Sequence, residues 1–238
     1  MEALPGTEPI FEELMHIRSA NTRIDQIVSN INNLDSGFIR IGTVQSIAYN
    51  WLPGVLKNFS AEYPNITFRL YVDGFQNLTE KLRKKTGLYL VSQYVAKDFP
   101  NLPVGTDELV LVTSLDHPLA DQLTVSFADI DGQDFVLSAD DFDYETGKLF
   151  RLNHITPNVR FRINEDYTAI KMVEQGFGIT VLPKLLLHNI PFNVCVRSFT
   201  EHFRRNLSVA YLDTPELSPA LDKFLTFVTK WAKECKLI

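Results

Sequence analysis

Cysteine is scarce in this chain: its 238 residues include only two, Cys195 and Cys235. Neither belongs to a CxxC pair, and the five histidines show no HxxxH spacing, so the sequence contains no familiar metal-ligand pattern. Because disulfides are rare in the cytosol, we expect both thiols to be reduced. The sequence predicts neither a metal site nor a cofactor.

Long apolar runs are missing as well. The longest, such as ELVLVTSL at residues 108–115, are too short to span a bilayer. The N-terminal MEALPGTEPIFEEL is acidic and has no basic segment followed by an apolar core, so it does not read as a secretory signal. We therefore predict a cytoplasmic protein with no membrane partner.

Positive charge is also in short supply. The chain has 23 Lys and Arg against 29 Asp and Glu, a net charge of −6. A domain that grips DNA phosphates usually presents a basic patch. The one dense basic run, Lys81 to Lys85, falls at the end of a predicted helix, where cations suit the helix dipole. We do not expect this chain to bind DNA by itself.

Catalytic motifs are absent too. The chain contains no GxGxxG, no P-loop and no GxSxG, and its histidines follow no Ser/His/Asp order. The carboxylate pair Asp140 and Asp141 carries little weight, because acidic residues are common at helix starts. We therefore predict no catalytic residues and no enzymatic activity. An enzyme on a bilobal α/β scaffold remains the less favoured alternative.

What is present begins with a heptad pattern in residues 8–34. Apolar residues recur at alternating steps of four and three, and Asn21 fills the one gap in the seam. This predicts a linker or dimerisation helix over residues 1–36 that pairs with a second copy, as a homodimer or higher homo-oligomer. An amphipathic helix packed on its own domain would give the same pattern. The seam residues are Ile10, Leu14, Ile17, Ile24, Val28 and Ile31.

After residue 36, apolar strands alternate with helical segments. GFIRIGTV, NITFRLYV, GLYLVSQYV and DELVLVTSL read as strands, and SIAYNWLPGVLKNFSAEYP reads as one helix. The pattern repeats in the second half, up to a closing helix at PELSPALDKFLTFVTKWAKE. Such alternation predicts an α/β fold with a mostly parallel sheet, and two units of similar size predict two subdomains.

The stretch VEQGFGITVLP, residues 173–183, predicts an abrupt helix-to-strand return. Gly176 falls where a helix C-terminus needs a left-handed residue. Gly178 permits a tight turn into the strand, and Pro183 can end the strand and open another helical turn.

Four segments in order, residues 37–74, 108–120, 169–183 and 218–228, make the chain resemble the effector-binding region of LysR-type transcriptional regulators. The resemblance covers about residues 37–230. The heptad helix resembles the family's linker helix, which joins a winged helix-turn-helix to the effector domain. That DNA-binding domain does not appear in the chain, so DNA is expected as a partner only of a full-length protein. Lys85 and Leu88 stand where relatives often carry glycine and aspartate.

The resemblance implies two Rossmann-like lobes of the type 2 periplasmic-binding-protein kind, joined by two crossover strands around a ligand cleft. Lobe I would comprise residues 37–112 and 208–238, and lobe II residues 113–207. It also implies a small-molecule effector, with organic acids as the common class, and side-by-side dimers that control transcription. A free-standing periplasmic-type solute-binding protein shares the fold and is the main alternative.

Open α/β sheets bind ligands where strands end and helices begin, because helix N-termini present free N–H groups. Four strand-to-helix loops qualify: the first at residues 43–46, the second at 74–76, the third at 138–141 and the fourth at 164–166. They give the predicted ligand-binding residues Thr43, Gln45, Ser46, Gly74, Phe75, Ser138, Ala139, Asp140, Asn164 and Asp166.

Several of these residues have a second interpretation. Ser46 matches the family's pocket serine, but a serine at a helix start is also typical of an N-cap. Phe75 could narrow the pocket or belong to the core. The acidic residues Asp140, Asp141, Asp143, Glu165 and Asp166 are typical helix caps. If they face the cleft, an anionic effector needs a nearby cation, for which the candidates are Arg160, Arg162 and Arg197.

Overall fold

The computed structural model describes residues 9, 10, 13, 14, 16, 17, 20, 21, 24, 37–84, 87–138, 145–211 and 219–234. In the predicted linker helix every described residue is helical. Its apolar seam is open to solvent, with Ile10, Leu14, Ile17 and Ile24 between 53% and 60% exposed. Val28 and Ile31 lie outside the described residues.

Strands and helices alternate along the described chain, as predicted. The strands are β1 (Gly37–Thr43), β2 (Ile66–Val72), β3 (Leu88–Ser92), β4 (Asn101–Ser114), β5 (Asp134–Leu137), β6 (Asn158–Arg162), β7 (Thr180–Pro183), β8 (Val194–Ser198) and β9 (Arg204–Tyr211). The helices are α1 (Gln45–Asn50), α2 (Leu52–Glu62), α3 (Phe75–Lys84), α4 (Gln93–Ala96), α5 (Glu145–Asn153), α6 (Asp166–Glu174) and α7 (Pro219–Glu234). Short 3₁₀ helices cover Pro118–Asp121, Phe127–Ile130 and Lys184–Leu187.

The long strand β4 pairs with three other strands of the sheet. The strand order is β2-β1-β3-β9-β4-β7, with β8 also paired to β4 and with β5 and β6 forming a separate parallel pair. Residues 101–108 of β4 pair with β9, whereas residues 109–114 pair with β7 and β8. β1 runs parallel to β2 and β3, but every pairing of β4 and β9 is antiparallel. The expectation of a mostly parallel sheet was therefore wrong, because β9 brings the chain back against β4 in the opposite direction.

Separate apolar cores lie on either side of this junction. One core uses residues from 39 to 104 and from 207 to 232, so the closing helix α7 packs against the first strands. Phe59 is fully buried at its centre, 5.0 Å from the Phe224 ring and 5.2 Å from the Phe227 ring. Two further clusters use residues between 109 and 199. Val104 and Leu109 thus belong to different cores although they lie on one strand.

Two elements differ from the sequence prediction. The segment predicted as one helix is two, α1 and α2, separated at Trp51. Pro53 lies in the first turn of α2 and has no N–H to donate to the carbonyl of Tyr49, so the first helix ends there. The strand predicted over GLYLVSQYV ends at Ser92, and the next four residues form α4.

The predicted helix-to-strand return is confirmed. Gly176 has φ +78°, and the N–H groups of Gly176 and Phe177 donate to the carbonyls of Val173 and Met172, which is a Schellman ending. Gly178 has φ +137°, and a Cβ there would lie 2.3 Å from the carbonyl oxygen of Asp134. Pro183 is the last residue of β7 and precedes the next 3₁₀ helix. Within the described residues, no helix is long and apolar enough to cross a membrane.

Gly178→Ala should therefore lower the free energy of unfolding by about 2–3 kcal/mol, since the methyl group meets backbone in a strained conformation. Gly54→Ala is the matched control. Gly54 lies inside α2, and a Cβ added there would make only one ordinary contact, at 3.8 Å. The substitution should therefore stabilise the protein by up to about 1 kcal/mol. Urea unfolding measures both, and equal small effects would contradict the close approach at Gly178.

Candidate functional site

The N-terminal ends of α1 and α6 face each other across the junction of the two cores. The Nε2 of Gln45 donates to Oε1 of Glu165 over 2.9 Å. Tyr49 lies one turn after Gln45 in α1, and its ring meets that of Tyr167, the second residue of α6, edge to face at 5.5 Å. The structure therefore brings the first and fourth predicted loops together. The hydroxyl of Tyr167 is buried and finds no hydrogen-bond partner among the described residues.

The third loop joins them through Ser138, whose hydroxyl donates to Oδ1 of Asp166. Ala139 and Asp140, together with Asp141 and Asp143, lie outside the described residues. Asn164 is exposed beside this contact. Ser138 and Asp166 therefore form a polar pair at the start of α6.

The second loop lies beside the first but contributes less. The N–H of Asp73 donates to the carbonyl of Thr43 over 3.1 Å, which holds the two loops side by side. The Thr43 side chain is fully buried, and its hydroxyl donates to the carbonyl of Leu90. Gly74 is exposed, and Phe75 is half-buried against the first core. The interpretation of Phe75 as a core aromatic is therefore supported.

Arg205, on β9, holds the centre of the site and was missed by the sequence analysis. Its side chain is 3% exposed, and its Nε and Nη2 lie 3.1 and 2.8 Å from Oδ2 of Asp107, its cross-strand neighbour on β4. Its Nη2 also donates to the hydroxyl oxygen of Ser46 over 2.7 Å. The sequence offered one indication of this role. Arg205 lies on the same strand face as the apolar Leu207 and Val209, both of which are buried.

Of the two interpretations of Ser46, the helix cap was wrong. Val44 occupies the N-cap position with extended backbone, and Ser46 lies inside α1 with its side chain 2% exposed. Its hydroxyl instead accepts the hydrogen bond from Arg205. Because a hydroxyl also carries a proton to donate, Ser46 retains a donor for a ligand oxygen.

The charges of the site are set by burial and hydrogen bonding. Burial raises the pKa of Asp166 above its usual range, although the hydrogen bond from Ser138 and the charge of Arg205 act in the opposite direction. Burial also acts to raise the pKa of Glu165. Hydrogen bonds from Gln45 and Thr168 outweigh it, so the net pKa is lowered. Glu165 is the N-cap of α6, which confirms the capping interpretation for this residue.

The cation near this acidic group is thus Arg205. Of the three arginines expected to serve, Arg160 pairs with Asp134, Arg162 is exposed at the end of β6, and Arg197 donates to backbone carbonyls of Val196 and Ala120. Ser46 offers a donor to an anionic oxygen, with the charge of Arg205 next to it, while Asp166 offers an acceptor for a hydroxyl or amine. Among the described residues, no cluster of His, Cys, Asp and Glu could hold a metal ion.

Comparison with known proteins agrees with this geometry. The model of the LysR substrate-binding domain family matches residues 32–233. The transcriptional dual regulator GltC of Bacillus subtilis is 28% identical over 235 residues, which cover 94% of this chain and 78% of GltC. The uncharacterized HTH-type transcriptional regulator YybE of the same organism is 26% identical over 198 residues, 82% of this chain and 68% of the relative.

Solved structures show the same fold. The effector-binding domain of QuiR in complex with shikimate has a TM-score of 0.74 at 25% identity, covering 84% of this chain and 98% of that one. The Synechocystis CcmR regulatory domain in complex with 2-PG has a TM-score of 0.76 at 21% identity, covering 83% and 98%. The BenM effector-binding domain with benzoate has a TM-score of 0.72 at 18% identity, covering 84% and 94%. The fold is therefore the two-lobed, type 2 periplasmic-binding-like α/β fold.

Asp166→Asn tests the buried carboxyl. A carboxyl whose folded-state pKa is raised keeps a proton that the unfolded chain has lost, so its contribution to stability falls as pH rises through the folded pKa. The variant should therefore be more stable than the parent at neutral pH, and the difference should shrink as the solution is acidified. Urea unfolding between about pH 4 and pH 8 measures this difference.

Asp134→Asn is the control, because Asp134 is a half-exposed carboxylate paired with Arg160 and hydrogen-bonded by Asn158. It should change the free energy of unfolding by about 0–1 kcal/mol. A neutral-pH loss of stability in Asp166→Asn that does not vary with pH would contradict the raised pKa.

Proposed function

We propose, on the premise that this chain belongs to the LysR substrate-binding domain family, that it senses a small-molecule effector at the facing ends of α1 and α6. The observation that carries the proposal is the buried Arg205, which donates to Ser46 beside the Ser138–Asp166 pair. Buried donors and acceptors that converge between two separate cores are typical of ligand sites. The predicted cleft residues Thr43, Gln45, Ser46, Gly74, Phe75, Ser138, Ala139, Asp140, Asn164 and Asp166 are proposed to surround this group.

The proposed division into lobe I (37–112 and 208–238) and lobe II (113–207) agrees with the cores except at its edges, where residues 109–112 pack with lobe II and Leu207 packs with lobe I. The first core stops at Val104 and resumes at Leu207, and the other cores lie between 109 and 199. β4 passes from one side to the other, and β9 begins on the return. A hinge made of these two strands would let the lobes change their angle while each core stays intact.

A ligand acts on such a protein by binding one lobe arrangement more tightly than another. An effector bound to Ser46 and Asp166 would contact α1 from one lobe and α6 from the other. It would therefore favour the arrangement in which those ends are close. We propose that this shift is passed to a helix-turn-helix domain joined to the linker helix, and so controls transcription by a cytoplasmic regulator.

The proposed effector is a small organic acid that also carries a hydroxyl or amino group. Its carboxylate would accept from Ser46, next to the charge of Arg205, and its hydroxyl or amine would donate to Asp166. Shikimate and benzoate, bound by two of the structural relatives, are carboxylic acids. The role is binding without turnover, so mass spectrometry of the incubated compound should recover it unchanged.

Ser46→Ala tests the sensor. In a thermal-shift and calorimetric screen of organic acids, amino acids and sugars, a ligand at a hundred times its dissociation constant should add about 2.7 kcal/mol of stability. Loss of the Ser46 hydroxyl should weaken a true effector by about tenfold, because a hydrogen bond to a charged group is lost.

Ser60→Ala, on the outer part of α2, is the matched control and should leave affinity unchanged. An effector whose affinity is the same in Ser46→Ala and Ser60→Ala would place the site elsewhere. Conversion of the compound to a product would show that the protein is an enzyme and not a sensor.

The exposed heptad seam supports self-association through the N-terminal helix. Ile10, Leu14, Ile17 and Ile24 would lose their exposed apolar area if the helix paired with a second copy. Asn21, exposed at the gap in the seam, would then lie in the interface, where a polar residue restricts register and oligomer state. We propose a homodimer or higher homo-oligomer on this basis.

Ile17→Lys should shift the oligomer toward monomer, because it places a charge in the seam, while His16→Lys, one position off the seam, should not. Sedimentation velocity over a concentration series reports the shift as a dissociation constant raised by at least about tenfold. If the two variants sediment identically, the N-terminal helix is not part of the interface.

A further inference from the structure

The positive charge at the proposed effector site already has a counter-ion. Among the residues that the structure describes, the cation that acts on this group is Arg205. Its Nε and Nη2 lie 3.1 and 2.8 Å from Oδ2 of Asp107, and the N–H of Leu185 donates to Oδ1 of Asp107 over 3.0 Å. The charge of Arg205 is therefore largely neutralised before any ligand arrives.

Glu165, at the start of α6, adds a negative charge that no cation neutralises among the described residues. Its Oε1 accepts from Gln45 and from the N–H of Tyr167, and its Oε2 accepts from the N–H and the hydroxyl of Thr168. Burial acts to raise the pKa of Glu165, but these hydrogen bonds outweigh it and the pKa is lowered. All of the donors are uncharged, so Glu165 is ionised at neutral pH and both of its oxygens are occupied.

Asp166, the next residue, has an oxygen to spare. Its Oδ1 accepts from the hydroxyl of Ser138, whereas no described residue donates to its Oδ2. Asp166 is partly exposed, and its Oδ2 is not among the buried polar atoms that lack a partner, so a small ligand in the site can reach this oxygen. The open acceptor of the site is thus a carboxyl oxygen.

The balance of charge at this oxygen favours a cation. Burial raises the pKa of Asp166 and the neighbouring charge of Glu165 raises it further, while Ser138 and Arg205 act in the opposite direction. A positive group placed at Oδ2 would stabilise the ionised carboxyl and compensate the two adjacent carboxylates. A ligand hydroxyl could donate to the same oxygen, but it would leave the negative charge uncompensated.

We propose that the effector is a small α-amino acid, whose ammonium group binds Oδ2 of Asp166 and supplies the positive charge that the site lacks. Its carboxylate lies at Ser46, next to Arg205, as in the proposed function on which this inference rests. Because Arg205 contacts Ser46 and its charge reaches Asp166, both ends of the ligand lie close to one guanidinium, which suits a short ligand. The site therefore distinguishes an amino acid from the hydroxy acid of the same skeleton.

Calorimetric titration of the whole chain with matched sets of acids tests the proposal. Each set keeps one carbon skeleton and places an amino group, a hydroxyl group or hydrogen at the same carbon. The sets are L-alanine, L-lactate and propionate; L-phenylalanine, L-3-phenyllactate and 3-phenylpropionate; and L-aspartate, L-malate and succinate. In at least one set the amino acid should bind at least about tenfold more tightly than the hydroxy acid, because it alone forms a hydrogen bond between two charged groups. A hydroxy acid that binds as tightly as its amino acid, or failure of all three amino acids to bind at about 1 mM, would overturn the proposal.

Proton release on binding is a second readout, and it requires no variant. An ammonium group at Oδ2 favours the ionised carboxyl, so Asp166 should lose its proton when the amino acid binds at a pH below its folded pKa. The charged groups that act on Asp166 are Glu165 and Arg205, and Arg205 stays protonated throughout. Titrations between about pH 4 and pH 8, each in two buffers of different ionisation enthalpy, measure the release, and the affinity should rise with pH. Equal binding enthalpies in the two buffers at every pH would contradict an ammonium group at Asp166.

Asp166→Asn and Ser46→Ala separate this inference from the proposed function. Asp166→Asn should weaken the amino acid at least about tenfold and leave the hydroxy acid unchanged, since only the amino acid loses a charged partner. Asp134→Asn, on β5, is the matched control and should change neither, with circular dichroism confirming that the variants are folded.

The outcomes of the two variants differ for the two proposals. A hydroxy acid that binds as tightly as its amino acid and is weakened by Ser46→Ala keeps the sensor and overturns the amino acid as its effector. An amino acid that is weakened by Asp166→Asn but not by Ser46→Ala supports the ammonium position and removes Ser46 from the proposed effector site.

Discussion

The buried ion pair between Arg205 and Asp107 is the constraint on which the middle of the molecule depends. Taking both charges out of water costs several kcal/mol per ion, which the pair recovers only with good geometry and further hydrogen bonds. Both conditions are met, because the residues are cross-strand neighbours and additional bonds run to Ser46 and from the N–H of Leu185. Removing either charge alone would leave the other buried without a partner, at a cost of about 3–5 kcal/mol.

This pair fixes α1 relative to the hinge strands. α1 has only six residues and would not be stable alone, so its position comes from its contacts. The hydroxyl of Ser46 accepts a hydrogen bond from Arg205, and the side chain of Asn50 donates to the carbonyl of Leu185. One short helix therefore borders the proposed effector site at its start and contacts the 3₁₀ helix Lys184–Leu187 at its end, so a displacement of α1 reaches both.

Local chemistry made part of this structure predictable and left another part hidden. Gly176, Gly178 and Pro183 were interpreted correctly, because the backbone conformation that each residue needs follows from its neighbours in the sequence. The break at Trp51 was equally local but was missed, although Pro53 signals it. The Arg205–Asp107 pair joins residues 98 positions apart, and no local pattern specifies which strands become neighbours. The hydrogen bond of Ser46 was missed for the same reason: its partner lies 159 residues away.

The contacts between the proposed lobes differ in strength, and the weaker ones would separate first if the lobe angle changed. The Gln45–Glu165 hydrogen bond and the Tyr49–Tyr167 edge contact lie among partly exposed side chains, where each such interaction contributes about 0.5–1.5 kcal/mol. The Asp107 carboxylate, which joins Arg205 to the backbone of Leu185, is buried and far costlier to separate. A change of lobe angle should therefore part the ends of α1 and α6 first and leave the bonds of Asp107 intact. In the proposed lobe motion the hinge would then lie at the ion pair and the larger displacement at the effector site, so a modest difference in the effector's affinity for the two arrangements is enough to select between them.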